Sequence, residues 1–208
     1  MSQELTTTVV EAKQAARQSA LARRDAAHAA GAATAPARVA AHLAAAFHFP
    51  SAAVVSGYWP GRSELDIRPL MAALHAEGHR VALPVVMGRG KPLIFRAWQP
   101  GAALEAKAFG LCEPAASAAE LTPQVLLVPF LAFDGEGYRI GYGAGYYDMT
   151  LAALRAQREV LAIGVGYAAQ RVARLPHDER DEKLDWVVTE EGAVPFARAA
   201  RGATGVVR

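Results

Sequence analysis

The chain has 208 residues, 52% of them hydrophobic, which suffices for one sizeable buried core and excludes a disordered chain. Lysine and arginine number 22 against 20 aspartates and glutamates, so the charge balance calls for no nucleic-acid partner, although a pI near 8.8 suits anionic ligands. The single cysteine, Cys112, excludes an internal disulfide framework and a multi-cysteine metal site. The first residues hold no apolar signal core, and Glu4, Glu11 and Asp25 argue against a transit peptide. No run of about 18 apolar residues exists for a membrane span. The expectation is a cytoplasmic, monomeric chain with no membrane partner, folded as one domain over 1–208 with frayed ends at 1–8 and 198–208.

In chain order, a first helix is expected from Val9 to about His28. Its Lys13, Arg17 and Arg24 share one face. Gly31 and Pro36 break it, and Thr34 is placed to cap a second helix with Val39, Leu43 and Phe47 on one stripe. An apolar run at 52–58 reads as a strand, 64–78 as a helix closed by Gly78, and 80–86 as a second buried strand. A turn at Gly88 and Gly90 returns the chain as an antiparallel strand over 93–98. The stretch 99–114 reads as an irregular surface connection. The strongest strand signal is 125–133. A helix follows from Gly145 or Tyr146, then strands at 160–167 and near 185–192. Strands alternate with helices, and the strands are continuous apolar runs. That pattern predicts an α/β fold: three layers, with a mostly parallel central sheet flanked by helices and a short antiparallel hairpin.

The stretch RIGYGAGYYD, Arg139 to Asp148, carries Gly141, Gly143 and Gly145 at alternate positions ahead of a helix. Glycines let backbone N–H groups approach an anion, and a helix N-terminus favours negative charge. Arg139 offers a fork of donors to phosphate. Asp148, in the first helical turn, suits Mg²⁺ bridging to phosphate. The composition also permits a plain glycine-rich turn in which Tyr146 and Tyr147 are core and Asp148 only favours the helix start.

The stretch closely resembles the signature of the 5-formyltetrahydrofolate cyclo-ligase family, R-[LI]-G-x-G-x-G-Y-Y-D. The resemblance extends to KQAARQSALARRDA (13–26), to ELD (64–66), to GHRVALPVV and FGLCEP, and to LPHDERDEKLDWVVTE near the C-terminus. It implies ATP held by Lys13, Arg17, Arg139 and the loop residues Gly141, Tyr142, Gly143, Ala144, Gly145, Tyr146 and Tyr147. It implies Mg²⁺ at Asp148 and Asp181, with Asp178 and Asp185 as rivals to the latter. It implies a folate contact at Glu64. Tyr58, Trp59, Tyr146, Tyr147 and Trp98 are aromatic candidates to stack on the pterin or adenine ring, with Tyr58 and Trp59, just before Glu64, the best placed. Arg139 and Lys13 are the candidate catalytic cations.

The implied reaction is ATP-dependent conversion of 5-formyltetrahydrofolate to 5,10-methenyltetrahydrofolate through a phosphorylated formyl oxygen. A divergent relative that keeps the nucleotide loop but acts on another small molecule is the alternative. The chain departs from the family pattern at Ile67, Phe130, Tyr142 and Ala144. No Ser/His/Asp arrangement stands out, and of six scattered histidines only His177 lies near an implied ligand, Asp181.

Overall fold

In a computed structural model, residues 2–107 and 112–197 are described, the first six of them by backbone alone. The expected frayed tail 198–208 lies outside the described residues. Helix α1 spans Ser2–Gly31, so residues 2–8, expected to fray, belong to the helix. α2 covers Ala35–Ala46, with Thr34 at its N-cap making no side-chain cap bond and Val39 and Leu43 buried. β1 is Val54–Ser56, α3 Arg68–Ala76, β2 Arg80–Val85 and β3 Ile94–Ala97. A small hairpin pairs β4 (Leu104–Ala106) with β5 (Cys112–Pro114) where an irregular connection was expected.

The run 125–133 is not one strand. β6 stops at Val128, its last rung opposite Gly164. Pro129 follows, and proline has no N–H to continue the ladder. The chain turns into a two-rung hairpin of β7 (Ala132–Phe133) and β8 (Arg139–Ile140). The buried Asp134 shapes this turn by accepting from the N–H groups of Glu136 and Tyr138. α4 (Tyr146–Arg155), β9 (Leu161–Val165), a 3-10 turn (Ala168–Gln170), β10 (Trp186–Thr189) and β11 (Gly192–Pro195) complete the order.

The central sheet runs β11-β10-β9-β6-β1-β2-β3. Its inner five strands are parallel, and β11 and β3 run antiparallel at the two edges. Edge strand β11 was not expected from sequence; the chain turns back through Glu190 and Glu191 between the paired Thr189 and Gly192. α2 and α3 cover one face through Val39, Leu43, Leu70, Met71 and Leu74, and α4 covers the other through Leu151. This is the expected three-layer α/β arrangement. Phe130 belongs to the core under α4: its ring lies where a Cβ on Gly164 or Gly166 would stand, 2.9 and 2.7 Å away. Two glycines absorb the bulk of that departure.

α1 lies outside the sheet. Its Ala20 packs with Leu131, Ala132, Ile140 and Leu175 against the β7–β8 hairpin. The basic face of α1 is thereby carried to the glycine loop that follows β8.

Candidate nucleotide and folate site

The loop after β8 ends in α4 because Gly145 adopts the left-handed conformation, φ 70°, at the N-cap. Among the described residues no side-chain oxygen caps this helix end, and Asp148 sits in its first turn. The arrangement leaves the helix N-terminus open and favourable to negative charge.

The three cations of the α1 face reach three successive parts of one surface. Lys13 Nζ donates to Asp181 at 2.6 Å and to Asp178 at 2.9 Å. Arg17 Nε donates to the Gly141 carbonyl at 3.0 Å. Arg24 Nη2 donates to the Tyr142 hydroxyl at 2.7 Å. Burial alone would lower the Lys13 pKa, but its hydrogen bonds to Asp181 and Asp178 outweigh that and hold it above the ordinary value. Arg180 and then Lys13 hold the Asp178 carboxyl well below the usual range.

Gly143 shows why this loop needs glycine. Its φ is 100°, and an added Cβ would lie 3.1 Å from the Arg17 guanidinium carbon. Gly141 has neither constraint, with nothing among the described residues within 4 Å of an added Cβ. Gly143→Ala is therefore expected to destabilise the protein by about 1–3 kcal/mol, and Gly141→Ala by less. Thermal denaturation of both variants checks this; equal melting temperatures would refute it.

Arg139 and Asp148 form the other half of the loop's frame. Arg139 Nη2 donates to Asp148 Oδ1 at 2.9 Å, and Nη1 donates to the Glu182 carbonyl. The Glu182 N–H donates to the same Asp148 oxygen at 3.2 Å. The first turn of α4 is thus tied to the residue beside Asp181, although 34 positions separate Asp148 from Glu182. Arg155 of α4 secures the same segment, through Glu182 at 2.6 Å and Asp185 at 2.9 Å. Asp185 is 5% exposed and also accepts the Ala162 N–H, so it is part of the framework.

The hydrogen bonds of Asp148 fall on Oδ1, and those of Asp181 on Oδ2. Each carboxylate keeps one oxygen outside this network. No cluster of three or more metal-ligating side chains occurs among the described residues. Two carboxylates on one surface fit Mg²⁺, which takes one or two of them together with phosphate oxygens and water.

Glu64 lies in the turn before α3. Its Oε2 accepts the Gly61 N–H at 2.9 Å, and its Oε1 stands 3.6 Å from Arg24 Nη1. Burial pushes its pKa up, while the Gly61 N–H, Arg24, the Tyr142 hydroxyl and Arg62 pull it down. Asp66, next but one, accepts the Arg68 N–H at 3.0 Å at the start of α3. Ile67, the N-cap residue, makes no side-chain cap bond.

The aromatic candidates divide. Tyr58 is 4% exposed and its hydroxyl donates to the Leu65 carbonyl, so it braces the Glu64 turn rather than offering a face to a ligand. Trp59 is half-buried, edge-on to Trp98 at 6.3 Å. Tyr146 and Tyr147 rest on the core under α4 with part of each residue exposed. The buried Tyr147 hydroxyl has no hydrogen-bond partner among the described residues. Burial, and then the nearby Glu64 charge, raise its pKa. His177 stacks flat on Tyr138 at 3.7 Å, beside the Lys13–Asp178 pair. Ala144 is exposed at the loop tip.

One residue at this surface was missed as a site residue in the sequence. Arg24 had a signal, its place on the Lys13–Arg17 face. Asp178, a rival to Asp181 by sequence, shares Lys13 with it.

Comparison with known proteins places this geometry in context. The model of the 5-formyltetrahydrofolate cyclo-ligase family matches residues 9–190. The 5-formyltetrahydrofolate cyclo-ligase of Mycolicibacterium smegmatis is 39% identical over 156 residues, which are 71% of this chain and 79% of that one. The enzyme of the same name from Escherichia coli K12 is 35% identical over 132 residues, 61% and 71% of the two chains. The NMR structure of Aquifex aeolicus 5,10-methenyltetrahydrofolate synthetase superposes with a TM-score of 0.70 at 29% identity, covering 92% of this chain and 95% of that one.

Proposed function

We propose that this chain, which belongs to the 5-formyltetrahydrofolate cyclo-ligase family, converts 5-formyltetrahydrofolate to 5,10-methenyltetrahydrofolate at the expense of ATP, releasing ADP and phosphate. One observation carries the reading. An open helix N-terminus behind a glycine loop is met by Lys13 and Arg17 from α1 and by Asp148 in its own first turn. That geometry supports a triphosphate seat, with Asp148 as a carboxylate for its metal.

The amides of Gly141 to Tyr147 receive the phosphates, and Lys13 and Arg17 offset their charge. Arg139 holds Asp148 to the Glu182 backbone and so fixes the carboxylate pair Asp148 and Asp181. Asp148 and Asp181 would hold Mg²⁺, which would neutralise charge that develops during transfer. Glu64 holds the pterin, with Trp59 and the exposed parts of Tyr146 and Tyr147 as its walls.

The formyl oxygen is a poor leaving group. Transfer of the γ-phosphoryl group to that oxygen makes it a phosphate ester, and ADP leaves. N10 then attacks the formyl carbon, the ring closes, the N10 proton is lost, and phosphate departs with the former formyl oxygen. Phosphoryl transfer demands positioning and charge neutralisation rather than a protein nucleophile. The residues at hand supply those two things. We place the protein in the cytoplasm and read it as a monomer.

Purified protein given 5-formyltetrahydrofolate, ATP and Mg²⁺ is expected to form the methenyl product, followed by its absorbance, with ADP in equal amount. Folded protein that forms none would refute the reading.

A further inference from the structure

Arg24, Tyr142 and Glu64 come from α1, the glycine loop and the turn before α3, yet they form one connected cluster. Arg24 is only 1% exposed. Its Nε donates to Ser63 Oγ at 3.1 Å, and that hydroxyl donates on to Asp25. Its Nη2 holds the Tyr142 hydroxyl at 2.7 Å, and its guanidinium carbon lies 5.4 Å from the centre of the Tyr142 ring. Its Nη1 has no hydrogen-bond partner among the described residues, and the Glu64 oxygen 3.6 Å away pairs with it by charge while standing beyond hydrogen-bond reach. A buried donor left in that state is costly and calls for an explanation.

Tyr142 supplies one. The residue is 55% exposed, so it adds little to the core, yet its hydroxyl reaches inward to the guanidinium that faces Glu64. Its backbone stands between Gly141 and Gly143, the stretch that cradles phosphate in the proposed function. A displacement of that stretch carries the phenol, and with it Arg24 and the gap to Glu64. We infer that Arg24 and Tyr142 are positioning residues which couple the two seats: a nucleotide-filled loop closes the Arg24–Glu64 pair and tightens folate binding. By linkage, bound folate tightens nucleotide binding by the same factor. The inference rests on the proposed function, and it gives this chain's tyrosine in the signature a task of its own.

Titration with 5-formyltetrahydrofolate, with and without a non-hydrolysable ATP analogue and Mg²⁺, tests it. In the wild type the analogue is expected to lower the folate Kd by about fivefold or more. In Tyr142→Phe, which keeps the ring over Arg24 and removes only the hydroxyl, that factor should drop below about twofold. The folate KM should also rise by more than kcat falls. Arg24→Lys, which keeps the charge but not the fork, should lose the coupling too; if it does not fold, Tyr142→Phe decides alone. Equal coupling in wild type and Tyr142→Phe, or none in the wild type, overturns the inference. If such a wild type still turns over, only the inference has failed; if it binds neither ligand, the functional reading has failed with it.

Discussion

Asp148→Ala is expected to lower kcat by about 10²- to 10³-fold while the protein remains folded. The carboxylate sits in the first turn of α4, beside the open helix N-terminus, with its side chain 27% exposed. It is therefore not a core group whose loss collapses the fold. Alanine removes one of two carboxylates proposed for Mg²⁺ and frees the Arg139 guanidinium from its partner. Asp148→Asn keeps the shape and the bonds from Arg139 and Glu182 but lacks the charge. It should lose nearly as much activity and demand more Mg²⁺ for half-maximal rate. Rates measured across a Mg²⁺ titration, beside circular dichroism spectra, give the answer. Full activity in either variant would show that the metal seat lies elsewhere.

The second large effect is expected at Arg139, and it falls on stability and rate together. The guanidinium side chain is 5% exposed and spans Asp148 and the Glu182 carbonyl. It locks the glycine loop's helix to the segment that carries Asp178 and Asp181. Breaking a buried pair from one side costs about 3–5 kcal/mol, and the partial exposure of Asp148 places Arg139→Ala at about 2–3 kcal/mol. Turnover should fall by at least about 10²-fold. Arg139→Lys keeps a charge but cannot reach both acceptors in one plane, so it should recover some stability and little rate. Chemical denaturation with steady-state kinetics checks both parts. A variant that lost rate at unchanged stability would make Arg139 a phosphate contact alone, and not the brace for Asp148.

Much of this was legible in the residues. The continuous apolar runs announced a parallel sheet covered on both faces, and alternating glycines announced the loop that leads into α4. The α1 face was legible too, because 3.6-residue periodicity aligns Lys13, Arg17 and Arg24. What each one touches was not, since that depends on how α1 crosses the β7–β8 hairpin. Pairing between distant segments was likewise hidden: the tie of Asp148 to Glu182 and the sharing of Lys13 by Asp178 and Asp181 exist only once the segment after the 3-10 turn is folded back. The run 125–133 misled because hydrophobicity continued through Pro129 while the hydrogen-bond ladder could not. Tyr58 looked like a pocket wall from its place after β1. In the fold its hydroxyl is used by Leu65 and its ring is core. The strand β11 escaped because GAVP is short, and a single edge strand carries no period to read.

At the glycine-loop seat, ATP is proposed to act on the formyl oxygen, and following that oxygen tests the proposal most directly. Substrate labelled with ¹⁸O in the formyl group should deliver its label to inorganic phosphate, one atom for each methenyl product formed. Unlabelled phosphate, with the label released to water, would contradict the account.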